Sequence, residues 1–269
     1  MADERVQDGP VLELKDVSIT FERDKVLDGV TFNVNPGETR VLLGPAGGGK
    51  SVLMKLINGL MKPDQGSIKV FGEEITGMSE VQLFKMRQRV GMVFQESALF
   101  DSMNVEENVG YRLNEEQNPA DDTHKRVEEA LNFVELGKAI TKFPSELSGG
   151  MRRRVSIARA IITKPDLILY DSPTGGLDPI TSTTIVQLVV KQRDVSHTTS
   201  LMITHRLQDA FVLATHRFNP DTNAMEKIPN GAVDENTKFL VLNEGKIVFD
   251  GSTLELTHSD DPWIKSYLS

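Results

Sequence analysis

The run Gly44-Pro45-Ala46-Gly47-Gly48-Gly49-Lys50-Ser51 constrains this chain more than any other eight residues in it. It fits the pattern GxxxxGK[ST] in full, and its flanks are those the pattern requires. Before it, Thr39 to Leu43 ends in the apolar run Val-Leu-Leu, which reads as a buried strand entering a turn. After it, Val52, Leu53, Leu56, Ile57 and Leu60 fall at helical spacing between Ser51 and Leu60. Glycines permit backbone dihedrals that aim successive N–H groups at one anion. The helix N-terminus adds its partial positive charge. In such a cradle Lys50 reaches the β- and γ-phosphates of a nucleotide, and Ser51 offers a hydroxyl to Mg²⁺.

The rest of the chain reads as alternating strands and helices. Val11 to Thr20 alternates apolar and polar residues, as a half-buried antiparallel strand does, and Val30 to Val34 fits a second strand. Ser67 to Phe71 and Val90 to Phe94 read as strands. Between about Asn104 and Thr163 the character is helical. Lys125 to Val134 is amphipathic, and Met151 to Ile162 is a helix closed by Pro165. Leu167 to Tyr170 and Leu201 to Thr204 look like buried strands, with a helix from about Thr181 to Arg193 between them. That order implies a right-handed parallel βαβ unit. Phe239 to Leu242 and Lys246 to Phe249 flank Asn-Glu-Gly, which fits a hairpin. Two stretches stand apart. The first ten residues read as a disordered tail, and Phe218 to Lys238, polar and rich in Pro, Gly and Asn, reads as a surface insertion. No internal repeat is present.

Composition narrows the function classes. The formal net charge is −9, which argues against holding bulk nucleic acid through a basic surface. There is no cysteine, so disulfide scaffolds, zinc-thiolate sites and thiol catalysis are excluded. No apolar run approaches the roughly 18 residues of a membrane helix, and the acidic start is not a signal peptide. The expectation is a soluble, cytoplasmic-type chain that meets membranes only through a partner.

Two further sites carry chemistry. Leu167-Ile-Leu-Tyr-Asp171 is an apolar strand ending in an acid, and beside a phosphate loop that Asp171 can hold Mg²⁺ through water. Leu147-Ser148-Gly149-Gly150-Met151 precedes a helix opening with Arg152 to Arg154. It reads either as a second anion nest or as an ordinary helix cap with flexible glycines.

With these residues in order, the chain resembles the ATPase subunits of ATP-binding cassette (ABC) transporters from about Val11 to Phe249. Gly44–Ser51 stands as the phosphate loop, Gln95 as the Q-loop glutamine, and Leu147–Met151 as the family signature. Asp171 stands as the Walker B acid, Gly176-Leu177-Asp178 as the D-loop, and His205 as the switch histidine. Phe21 stands where the family places an aromatic on adenine; a buried strand-end Phe is the alternative. The resemblance implies an α/β P-loop NTPase fold of the ABC ATPase type, with a RecA-like core, an antiparallel β subdomain and an inserted α-helical subdomain. The cassette would span 11–251, with the helical part at about 96–163, the insertion at about 218–238, and a tail at 252–269.

The resemblance also implies a homodimer that closes head to tail on ATP. The phosphate loop of one copy, with Val52 beside it, would face Ser148, Gly149, Gly150 and Asp178 of the other. Ser51, Gln95 and Asp171 would attend the Mg²⁺, while Gln95 and His205 would sense the γ-phosphate.

The block Gly91-Met-Val-Phe-Gln95-Glu-Ser-Ala-Leu-Phe-Asp101-Ser102-Met103, with Val52 where most relatives have Thr, looks like the branch serving MCE-type lipid transporters, the Mla and Mkl-like systems. That branch implies ATP-driven phospholipid movement between bacterial membranes. Its implied partners are a membrane permease subunit, an MCE-domain lipid-binding protein and a STAS-type regulator, with the chain peripheral on the inner membrane. There the C-terminal tail can reach the other ATPase subunit; packing of Trp263 on its own domain is the alternative. A soluble ATP-dependent clamp fits less well, because such proteins carry two cassettes or long coiled-coil insertions.

One departure matters. The family usually has Glu directly after the Walker B acid, and here Ser172 stands there. A serine hydroxyl does not accept a proton as a carboxylate does, so hydrolysis is expected to slow by about 10²–10³-fold. Three readings stay open: an engineered ATP trap, a natural slow or regulatory subunit, or another acid substituting, of which Glu96 is nearest in sequence.

Overall fold

The computed structural model describes residues 9–22 and 24–269. Residues 1–8, most of the expected N-terminal tail, lie outside them. Strands β1 (Leu12–Phe21) and β2 (Asp24–Val34) pair as a hairpin. Then β3 (Thr39–Leu43) runs into the glycine loop and α1 (Lys50–Ile57) leaves it. After these come β4 (Gln65–Val70), β5 (Glu73–Glu74), α2 (Glu80–Arg87) and β6 (Val90–Val93). Three helices follow, α3 (Val105–Glu115), α4 (Ala120–Phe133) and α5 (Gly149–Ile161). The chain returns through β7 (Leu167–Asp171), α6 (Pro179–Ser196), β8 (Thr199–Ile203) and α7 (Leu207–Thr215). It ends with β9 (His216–Asn219), β10 (Ala224–Lys227), β11 (Thr237–Asn243), β12 (Lys246–Ser252), α8 (Thr253–Thr257) and α9 (Pro262–Leu268).

The central sheet has the order β12-β11-β3-β8-β7-β6. From β11 to β6 every neighbouring pair is parallel, and only β12 runs against its neighbour. A smaller antiparallel sheet, β2-β1-β4-β5, forms a separate ladder that packs on it. This is the expected α/β architecture, with β7, α6 and β8 as the parallel unit read from the sequence.

The near-continuous apolar strands divide their residues between two cores. Val41 and Leu43, Ile168 and Tyr170, Met202, Phe239 and Val241 face one core, shared with the helices from α3 to α7. Leu42, Leu167 and Leu169, Leu201 and Ile203, Leu240 and Leu242 face the other, shared with α1, α2 and the small sheet. Successive side chains of a strand point to opposite faces, so a sheet covered on both sides needs apolar residues at every position.

Three segments differ from the sequence reading. The second strand begins at Asp24 rather than Val30, because Asp24 and Lys25 pair with Phe21 and Thr20 across bulged register shifts that hide its alternation. Helix α2 lacks an apolar stripe: Leu83 and Met86 are buried, but Val81 and Phe84 are exposed. A capping box between Ser79 and Gln82 starts it. The stretch 218–238 is not a loop throughout. Asn219 pairs with Ala224 and His216 with Lys227 in the β9–β10 hairpin, Phe218 is buried against the first core, and Thr237 and Lys238 already belong to β11.

Leu169, fully buried in the middle of β7, tests the layered core. Leu169→Ala is expected to lower stability by about 2–5 kcal/mol in urea denaturation. A loss below about 1 kcal/mol would mean that this strand is not packed between two cores.

Candidate active site

A parallel sheet gathers the carboxyl ends of its strands at one edge, where ligands of open α/β folds bind. Here that edge collects the loop 44–49 after β3, Gln95 two residues after β6, Asp171 and Ser172 at the end of β7, and His205 two residues after β8. A cavity of about 1000 Å³ opens at the other edge, among Pro36, Arg89, Asp166 and Thr199, and takes none of these residues.

The glycine loop is held tightly. Gly44 has φ +149° and lies against β11; a Cβ there would come within 2.2 Å of the Leu242 carbonyl oxygen. Gly49 caps α1 at φ +92°, and a Cβ would come within 2.9 Å of the Val26 carbonyl oxygen. Only glycine meets both demands. Pro45, Ala46 and Gly47 are exposed and Gly48 half-buried.

Lys50 folds its ammonium back into the loop. Nζ donates to the carbonyls of Gly44 (2.9 Å) and Pro45 (2.7 Å). Burial lowers its pKa, and the nearby Asp171 charge opposes that. Ser51 is exposed on the first turn of α1, and Val52 packs half-buried on the second core.

Burial raises the Asp171 pKa, and Lys50, Lys55 and Arg153 pull it back. Among the described residues, Asp171 Oδ1 is buried without a hydrogen-bond partner. An unsatisfied carboxylate oxygen is costly in a folded protein. One such acid suits Mg²⁺, which usually takes one or two carboxylates together with phosphates and water.

Ser172 is buried and left-handed, at φ +46°. Its N–H donates to the Ile203 carbonyl and its carbonyl accepts from the Gly175 N–H, both at 2.9 Å. The Thr174 hydroxyl donates to the buried Asp209 (2.5 Å). Asp178 caps α6, accepting from the Thr181 N–H (3.0 Å) and hydroxyl (2.5 Å), which lowers its pKa. Gln95 is exposed, yet its side chain lies against Gly175. Glu96 is exposed.

The Ser148 hydroxyl accepts from the Met151 N–H (3.2 Å) and so caps α5. Gly150 packs on Thr181 so closely that a Cβ would meet its methyl at 2.3 Å. Among the described residues, no hydrogen bond or ion pair joins this turn to the loop 44–51 of the same chain. His205 is exposed in the bend after β8. Phe21 ends β1 and is 40% exposed, so it is not a buried strand-end residue.

Two contacts at this edge escaped the sequence reading. The Tyr267 hydroxyl accepts from the Gly44 N–H (3.0 Å). Tyr267 stacks on Trp263 at 5.2 Å, and Ile264 is buried. In this single chain, Trp263, Tyr267 and Leu268 pack on the first core. Arg153 is 4% exposed. Its signal was helical spacing, which places it on one face of α5 with Gly150 and Ile157, all three buried.

Residues 27–175 match the ABC transporter family. The chain belongs to that family, as its ATP-binding subunit and an ATPase. It is similar along most of its length to the intermembrane phospholipid transport system ATP-binding protein MlaF of Escherichia coli (strain K12), at 36% identity over 96% of this chain and 88% of that one. It is also similar to the probable ribonucleotide transport ATP-binding protein mkl of Mycobacterium leprae, at 34% over 99% and 71%. Among solved structures, a dimeric ATP-binding cassette in a post-hydrolysis state bound to ADP and Pi superposes with TM-score 0.75 at 27% identity, covering 90% of this chain and 98% of that one. CbiO1 from Clostridium perfringens gives 0.78 at 25%, covering 94% and 92%. Among the described residues, no helix is long and apolar enough to cross a membrane.

The Lys50–Asp171 coupling is testable. Lys50→Met removes the charge that pulls the Asp171 pKa down, so the carboxyl is expected to titrate at higher pH, read by carbon NMR. An unmoved midpoint would show the two groups to be uncoupled. Tyr267→Phe is expected to cost about 1 kcal/mol in urea denaturation through loss of its hydrogen bond to Gly44. Unchanged stability would mean that this contact does not hold the tail.

Proposed function

We propose that this chain powers phospholipid transport between bacterial membranes by binding and hydrolysing ATP beneath a partner permease. The observation that carries the reading is the similarity to MlaF over 96% of this chain and 88% of that one, together with the block Gly91–Met103, which resembles the MCE-associated branch. The mkl relatives bear a different cargo in their name, ribonucleotides, so cargo is the part that the experiment must decide.

In this reading two copies close on ATP. The loop 44–51 cradles the phosphates through its N–H groups and Lys50, while Ser148, Gly149, Gly150 and Asp178 come from the opposite copy. Phe21 supports the adenine, and Val52 lines the loop. When bound, Mg²⁺ neutralises phosphate charge, and Ser51, Asp171 and Gln95 are the residues that would hold it. His205 orients the γ-phosphate. The membrane partners are a permease and an MCE-domain lipid-binding protein, with a STAS-type regulator, and the chain sits on the cytoplasmic face of the inner membrane through the permease. The boundaries 11–251 for the cassette and 96–163 for its helical part belong to this reading.

Tagged chain purified from membranes should bring down a permease and an MCE protein. The complex in vesicles should move fluorescent phospholipid in an ATP-dependent way. ATP-dependent ribonucleotide uptake without lipid transfer would overturn the lipid reading.

The position after Asp171 sets the hydrolysis rate. Ser172→Glu restores a carboxylate and is expected to raise kcat by about 10²–10³-fold with little change in KM for ATP. No increase would mean that the proton is taken elsewhere, and Glu96→Gln would then show whether Glu96 takes it. Lys50→Ala should abolish ATP binding in equilibrium titration.

A further inference from the structure

Arg153 is buried although it stands between two arginines that are not. Its hydrogen-bonding partners are backbone carbonyls from two different segments. Nη1 donates to Phe94 (2.6 Å), the residue before Gln95, and Nη2 donates to Gly175 (3.4 Å), in the loop between Ser172 and Asp178. Among the described residues, Nε is buried with no hydrogen-bond partner. Glu96 and Asp171 attract the guanidinium, which partly offsets its burial. A buried cation held by two neutral carbonyls, with one donor unmet, is an expensive arrangement.

The two segments also touch each other directly. A Cβ on Gly175 would lie 3.3 Å from Gln95 Cγ and 3.1 Å from the Ser172 carbonyl oxygen. The helix that carries Arg153 begins at the Ser148–Gly150 turn, one turn away. Three parts of the site therefore meet at one side chain: the Gln95 segment, the loop after Asp171, and the start of α5.

We propose that Arg153 is a positioning residue that clamps the Gln95 segment to the Ser172–Asp178 loop, so that neither can shift on nucleotide binding without the other and without α5. A planar fork suits this task, because its two Nη groups point at separate acceptors in fixed relation. A lysine ammonium is a single flexible point and cannot reproduce the fork.

The inference rests on the nucleotide-site reading, and the experiment separates the two. Amide hydrogen exchange with and without Mg·ATP is measured on the full chain, together with steady-state ATPase kinetics. In the wild type, ATP should slow exchange in 44–51, 93–98 and 172–177 together. In Arg153→Lys and Arg153→Gln, protection of 44–51 should persist while 172–177 no longer follows 93–98. Their kcat should fall by about 10–100-fold with KM for ATP nearly unchanged, the scale of a misplaced catalytic group. Gly175→Ala keeps the arginine but crowds the junction at the residue whose carbonyl accepts from Nη2, and should uncouple the two segments likewise. It decides the matter if both arginine variants fail to fold. Unchanged kcat with concerted exchange in the variants overturns the clamp, as does a kcat loss that only tracks the unfolded fraction. Absence of protection at 44–51 in the wild type overturns the nucleotide-site reading and the clamp with it.

Discussion

The parallel hydrogen-bond ladder from β11 through β3, β8 and β7 to β6 is the constraint on which the rest depends. Parallel strands share one carboxyl edge, so residues far apart in sequence emerge side by side there. The glycine loop, Gln95, Asp171 and His205 follow four different strands, and that ladder brings the four strand ends to one edge. The ladder in turn requires cover on both faces, which explains why Val41 and Leu42, or Ile168 and Leu169, serve different cores though adjacent in sequence.

Charge at this edge is arranged locally and against burial. Lys50, Asp171 and Arg153 each pay a desolvation penalty and each offset part of another's. The net charge of −9 is no obstacle to an anionic ligand, because the loop offers N–H groups and a lysine at short range while distant surface acids are screened. Among the described residues, Asp171 Oδ1 has no hydrogen-bond partner, and Lys50 Nζ is bonded to carbonyls of its own loop.

The fold and most motif positions were legible because local rules suffice for them. The strand at Thr39–Leu43 and the helix that follows have continuous apolar or helical patterns, and the glycine loop has a pattern with few other uses. Helix α2 was illegible because it buries only Leu83 and Met86 and so carries no periodic signal. The β9–β10 hairpin was illegible because its polar residues read as a loop, whereas Phe218 is held by packing and by Lys191, 5.2 Å from its ring centroid.

By itself the sequence determined the class of chain: a phosphate loop between a buried strand and a helix, an acid ending a second strand, and a serine where a carboxylate usually stands. These are local in the chain, and neighbouring residues specify them. Only the tertiary structure decided which side chains support that chemistry. Tyr267 reaches Gly44 across 223 residues and Arg153 reaches Phe94 across 59. Such long-range contacts arise from how helices dock on the sheet, and no spacing rule encodes them.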